Sequence, residues 1–207
     1  VENGYRGQPR VRYWVEGADE FDAVDSFPPR DGEALRLYLG SSGPDADTHV
    51  LATEETPEGA NTWVAVPTGL PVLGGLDDVA AQSLGFELVA GHDTVLAGPV
   101  TANLRFSCNE IDSYVVARLS RIDGEGNRHQ LSMGAVRPAA HSEDVGRSTA
   151  NEIAIDSGIR RPLTPGEPVT LRFSLTPAPT RIRAGEKLRL DVASRTDLLR
   201  MDPSEGY

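Results

Sequence analysis

An all-β sandwich is the fold class this sequence predicts, and three observations predict it. Apolar residues recur at every second position in several short runs, Pro and Gly punctuate those runs, and a sustained helical period is missing from the 207 residues.

Taken along the chain, the N-terminal third is broken into short pieces by Phe27, Pro28 and Pro29 and again by Pro67, Gly69 and Pro71. This places a leading segment with short strands at 1–73 and starts the sandwich near Gly74, at 74–207. The one helical signal is a turn or two over 77–83, with Asp77 and Asp78 at its acidic start and Gly85 as its stop. Residues 100–107 then alternate, with Val100, Ala102, Leu104 and Phe106 on one side, as a strand buried on one face requires. Residues 169–175 and 188–192 repeat the pattern between Pro168, Pro177 and Gly185. Residues 114–122 carry Val115, Ala117 and Leu119 on one side and Tyr114, Val116 and Ile122 on the other, which suits a central strand covered on both faces. Asp123, Gly124, Gly126 and Asn127 tolerate turn geometry, so 123–127 reads as a hairpin into an antiparallel strand over 129–136.

Composition narrows the function classes. Hydrophobic residues at 39% and charged residues at 25% match ordinary globular usage, which argues against a disordered or fibrous chain. A formal net charge of -11 repels polyanions, so nucleic acid is not an expected partner. Cys108 is the single cysteine and cannot close an intrachain disulfide, which makes the cytoplasm the default compartment. No run approaches the ~20 apolar residues of a membrane helix, and 1–10 lacks the apolar core of a signal peptide, although a chain opening at Val1 reads as trimmed.

Catalytic residues are not found. The strained elbow of an α/β serine hydrolase is written G-x-S-x-G, and that string is absent. Gly40, Ser41, Ser42, Gly43 and Pro44 have the wrong glycine spacing and read as a surface turn. Cys108 closes an alternating strand and reads as an inert, half-buried thiol. His49, His92, His129 and His141 are scattered without zinc-ligand spacing, and Asp77, Asp78 and Asp93 lack the ligand alternation of a calcium loop, so neither metal nor cofactor is expected. Lys187 is the lone lysine, and the many arginines read as solvated strand faces. Trp14, Phe21, Phe27 and Trp63 sit in apolar or Pro-flanked settings that favour packing over a sugar-stacking platform.

Val11-Arg12-Tyr13-Trp14-Val15-Glu16-Gly17, followed by Phe27-Pro28 and Leu35-Arg36-Leu37-Tyr38-Leu39, resembles the hinge of the cocaine-esterase and X-prolyl dipeptidyl-peptidase family, V-R-L-F-V-M-G with W-P after it. Pro71-Val72-Leu73-Gly74-Gly75 is similar to the family's P-x-P-T-L-G-G, and Asp93-Thr94-Val95-Leu96-Ala97-Gly98-Pro99-Val100 to its D-T-E-L-x-G-P-V. Asp112-Ser113-Tyr114-Val115 resembles D-T-D-F, Leu163-Thr164-Pro165-Gly166 resembles L-x-P-G, and Gly185-Glu186-Lys187-Leu188-Arg189-Leu190 resembles G-H-R-L-R-L. Residues 193–203 depart from the family's closing S-S-S-N-F-P-R-F-D-R-N, and the sandwich is expected to be truncated there.

The resemblance implies a jelly-roll sandwich of galactose-binding-like shape, carried after an α/β-hydrolase domain whose serine, aspartate and histidine lie outside this chain. The implied role is an accessory domain supporting the catalytic domain of an esterase or X-Pro dipeptidyl-peptidase, with that domain as its partner. A carbohydrate-binding module is the alternative reading, and a chain with only 6% aromatic residues makes its open aromatic face hard to build. The face meant for the catalytic domain would be an exposed apolar patch able to drive self-association, with Trp14, Phe27 and Tyr38 as its candidates.

Overall fold

The computed structural model describes residues 7–43, 46, 48–65, 83–149 and 152–194. Among these residues twelve strands are formed: β1 Val11–Val15, β2 Glu20–Val24, β3 Tyr38–Gly40, β4 His49–Ala52, β5 Ser83–Val89, β6 Thr94–Leu96, β7 Val100–Phe106, β8 Val115–Ile122, β9 Arg128–Val136, β10 Val169–Leu175, β11 Thr180–Ile182 and β12 Lys187–Ala193. The helical turn expected over 77–83 lies outside the described residues except for Ser83, which opens β5, and the boundary expected near Gly74 lies outside them too. Gly85 is not a helix stop: it lies inside β5, paired with Asp191.

Six strands make one sheet in the order β3-β4-β5-β12-β8-β9, while β7 pairs with β10, β6 with β11 and β1 with β2. Residues before 74 therefore contribute β3 and β4 to the main sheet. The β8–β9 hairpin is antiparallel, as its turn chemistry requires, and Asp123 closes it by accepting the Glu125 and Asn127 N–H groups, each at 2.9 Å.

Period-two alternation decides which residues meet. Leu84 and Phe86 of β5, Val115, Ala117 and Leu119 of β8, and Leu188 and Val192 of β12 point inward from the large sheet. They join Phe106 of β7 and Leu171, Phe173 and Leu175 of β10 in one buried cluster, so the two layers form a sandwich around a single core. On the outer face, Val116 and Ala193 are also buried, as a strand apolar on both sides requires. Tyr114 differs from expectation: it falls just before β8, is 56% exposed and lies under the Arg137 guanidinium.

The arginines also differ. Arg118 and Arg121 are buried at 1% and 5% exposure, and Asp191, on the nominally wet side of β12, at 2%. Asp191 Oδ2 accepts from Arg118 at 3.3 Å and Arg128 at 3.1 Å, and Oδ1 accepts from Arg189 at 2.8 Å. These partners lie 63 and 73 residues away in the chain for Arg128 and Arg118, so no local pattern could reveal them. Charges buried in this way persist because each is paired and hydrogen-bonded.

The layers join where β9 meets the end of β10. Ser132 Oγ donates to the Thr176 carbonyl, and the Thr176 N–H donates to Met133 O at 3.1 Å. A Cβ at Gly134 would lie 2.5 Å from Ser174 O, so only glycine lets the two backbones approach. The segment after β9 returns along β10: the Arg172 N–H donates to His141 Nε2 at 3.3 Å, Arg172 Nη1 to Glu143 Oε1 at 2.9 Å, and the Ile153 N–H to Ser174 Oγ at 3.1 Å. Burial holds the His141 pKa below the usual histidine value, against the opposing pull of Glu143.

Two outcomes are expected. Gly134→Ala destabilises the chain by about 1–3 kcal/mol, since β10 backbone must shift, and urea unfolding measures it. The neutral His141 ring contributes stability that is complete above the ordinary value of 6.5 and is lost as pH falls through the lower pKa of the folded state. Stability measured against pH therefore has a shallower acid-side slope in His141→Gln than in the parent sequence.

Candidate docking face

The β1–β2 hairpin places its side chains by the same alternation. Val15 points into the protein and is 3% exposed, and Val11 and Tyr13 on the same side are half-buried. Tyr13 meets Phe27 edge-on, with centroids 5.4 Å apart, and its hydroxyl donates to Asp22 Oδ2 at 2.7 Å. Desolvation together with the Asp22 carboxylate pushes the Tyr13 pKa up to about 12, so the phenol remains a neutral donor.

The opposite side of the hairpin faces solvent. Trp14 pairs in register with Phe21, their rings meeting at 5.2 Å and 74°, and the Arg12 guanidinium lies 5.1 Å from the Phe21 centroid. Trp14 is 47% and Phe21 60% exposed. Two large aromatics and a cation thus stand side by side on a solvent-facing side of the hairpin, a grouping scattered surface residues do not make.

The expected patch of Trp14, Phe27 and Tyr38 is not assembled as one surface. Phe27 packs on Tyr13, on the other side of the hairpin from Trp14, and Tyr38 sits half-buried in β3 at the edge of the large sheet. Phe21 takes the place beside Trp14, and strand pairing across the hairpin is the signal that would have found it. The near-perpendicular rings also deny a sugar the flat aromatic platform it would stack on. Trp63 is a packing residue: its ring lies 5.8 Å from Phe106 and its Nε1–H donates to Ser194 Oγ at 2.9 Å.

The remaining chemistry-bearing residues are dispersed. Ser41 Oγ accepts the Gly43 N–H at 3.3 Å in an exposed turn, and the Ser42 N–H donates to Nδ1 of the buried His49, whose ring packs on Phe86. Cys108 is half-buried with its Sγ–H directed at Glu110 O, 3.1 Å away. His129 Nε2 lies 2.8 Å from Asp123 Oδ2 at the β8–β9 turn, and exposed His92 bonds Thr94. Asp93 accepts from Arg181 and from the Ala184 N–H, whereas Asp77 and Asp78 lie outside the described residues. Among the described residues, no three His, Cys, Asp or Glu side chains are grouped to hold a metal ion, and no helix is long and apolar enough to cross a membrane.

Comparison with known proteins adds a family and a fold. The family described as the X-Pro dipeptidyl-peptidase C-terminal non-catalytic domain matches residues 3–203. The chain superposes on a CocE/NonD family hydrolase from Staphylococcus aureus with a TM-score of 0.71 and 19% identity, covering 94% of this chain and 35% of that one. It superposes on an aminopeptidase from a marine sediment archaeon, Thaumarchaeota archaeon, with a TM-score of 0.66 and 17% identity, covering 90% and 33%. It also superposes on an α-amino acid ester hydrolase with a TM-score of 0.63 and 18% identity, again covering 90% and 33%. The chain thus spans about a third of the length of these solved structures. No curated protein matches it.

Proposed function

The chain belongs to the family of X-Pro dipeptidyl-peptidase C-terminal non-catalytic domains, and from that membership we propose that it buttresses the α/β-hydrolase domain of an esterase or X-Pro dipeptidyl-peptidase. The parent would cleave ester or amide bonds by Ser-His-Asp acyl transfer, with all three residues on the catalytic part. The observation that carries this reading is the solvent-facing surface of Arg12, Trp14 and Phe21 on the β1–β2 hairpin. A surface of this kind is stable when a partner covers it. The matched proteins named above are hydrolases, and none of these is a carbohydrate-binding module.

The same reading assigns residues 1–73 to the hinge that follows the catalytic domain and gives the sandwich jelly-roll connectivity. What supports the latter is β12, the last strand among the described residues, lying between β5 and β8 in the large sheet. The single, half-buried Cys108 thiol needs no oxidising compartment, which fits a cytoplasmic parent. Separated from its catalytic domain, the chain would self-associate through the uncovered face.

Two measurements test the proposal. The purified chain is expected not to hydrolyse p-nitrophenyl acetate or an X-Pro chromogenic amide, and turnover sensitive to a serine-directed inhibitor would overturn the accessory role. Replacing Trp14 and Phe21 together by Ala is expected to weaken binding to a separately produced catalytic domain by about tenfold or more, read by titration calorimetry. Unchanged affinity would remove this face from the interface.

A further inference from the structure

Resting on the reading that the hairpin carries the docking face, we infer that its turn is seated in an arginine–carboxylate socket that sets the direction in which Trp14 and Phe21 are presented. A two-stranded hairpin is marginal by itself, so its attitude depends on what ties it down. Val15 is its one fully buried apolar residue. The other ties converge on Glu16 and Gly17. The Glu16 N–H donates to Pro179 O at 3.1 Å, Glu16 O accepts the Arg181 N–H at 2.8 Å and Thr180 Oγ1 at 3.2 Å, and Gly17 O accepts Arg183 Nη2 at 2.8 Å.

Gly17 has φ +74°, and a Cβ there would lie 2.9 Å from Arg181 O and 3.3 Å from Arg121 Cζ. Glycine alone combines that backbone with so close an approach to a guanidinium. Beneath it, Arg121 Nη1 donates to Glu186 Oε1 at 3.1 Å, both side chains being 6% exposed, and Glu186 Oε2 accepts the Arg183 N–H at 2.8 Å. Asp93 holds the rim through Arg181 Nη2 at 2.8 Å and the Ala184 N–H at 3.0 Å.

Every part of the socket lies outside the hairpin: Arg121 in β8, Arg181 in β11, and Arg183 and Glu186 in the turn entering β12. The socket therefore exists before the hairpin is seated, and the hairpin opens as a separate unit at lower free energy than the sandwich unfolds. Arg183 is the accessible tie, with its side chain 56% exposed; it also lies 3.7 Å from Glu186 Oε1, but that carboxylate keeps Arg121 at 3.1 Å when Arg183 is removed.

Hydrogen exchange of the 207-residue chain tests this. In Arg183→Ala, amides of β1 and β2 are expected to exchange about tenfold faster or more, while those of β8 and β12 keep their rates. Gly17→Ala is expected to give the same local signature. Unchanged exchange in β1 and β2, or parallel acceleration throughout the chain, would overturn the socket. The docking reading fails separately, through unchanged catalytic-domain affinity in the Trp14 and Phe21 double variant, and that result leaves the exchange experiment standing.

Discussion

Strand β12 must enter the large sheet between β5 and β8, and the rest of the structure depends on that insertion. Leu188, Leu190 and Val192 meet Leu88, Phe86 and Leu84 on one side and Arg121, Leu119 and Ala117 on the other. Without β12, the two halves of the sheet have no shared hydrogen-bonded neighbour and the core cluster loses its central row. The strand comes late in the chain, so its pairing closes a loop of about a hundred residues to β5 and about 65 to β8. Such closure is slow to form and is repaid only when the full apolar row is buried.

Asp191 makes the register of that strand unambiguous. It stands on the outer face of the sheet, held by Arg118, Arg128 and Arg189. A slip of one residue would turn the aspartate into the hydrocarbon core and Leu190 out of it, a loss no rearrangement of the arginines could offset. The glutamate at 87 continues the arrangement, accepting from Lys187 and Arg189 at 2.9 and 2.7 Å. Burial alone would raise the Glu87 pKa, but those two cations outweigh it and hold the carboxyl below its usual range.

In the role proposed for this chain, the sandwich would supply stiffness and the hairpin recognition. The buried ion pairs and the single core make a body on which a two-stranded arm is mounted through a few polar contacts. An arm so mounted would hold its aromatic face at a defined angle, as the proposed support of a neighbouring domain requires.

The alternating runs at 100–107, 169–175 and 188–192, the two-sided run at 114–122 and the turn after it made the strands of the sandwich legible, because a period of two is a local property of the chain. The family was legible for a related reason: its turn and strand-entry strings are contiguous. Three things were decided only by the tertiary structure. The arginines at 118 and 121 read as solvent-facing because their carboxylate partners are remote in sequence. Phe21, rather than Phe27, became the partner of Trp14 because strand register chose it. The seat of the Gly17 turn depends on groups from β8, β11 and the turn before β12, which meet only when non-local strand pairing brings them together. Sequence periodicity by itself determined which side chains each strand turns to its two faces; the fold decided which of those faces are covered, and by what.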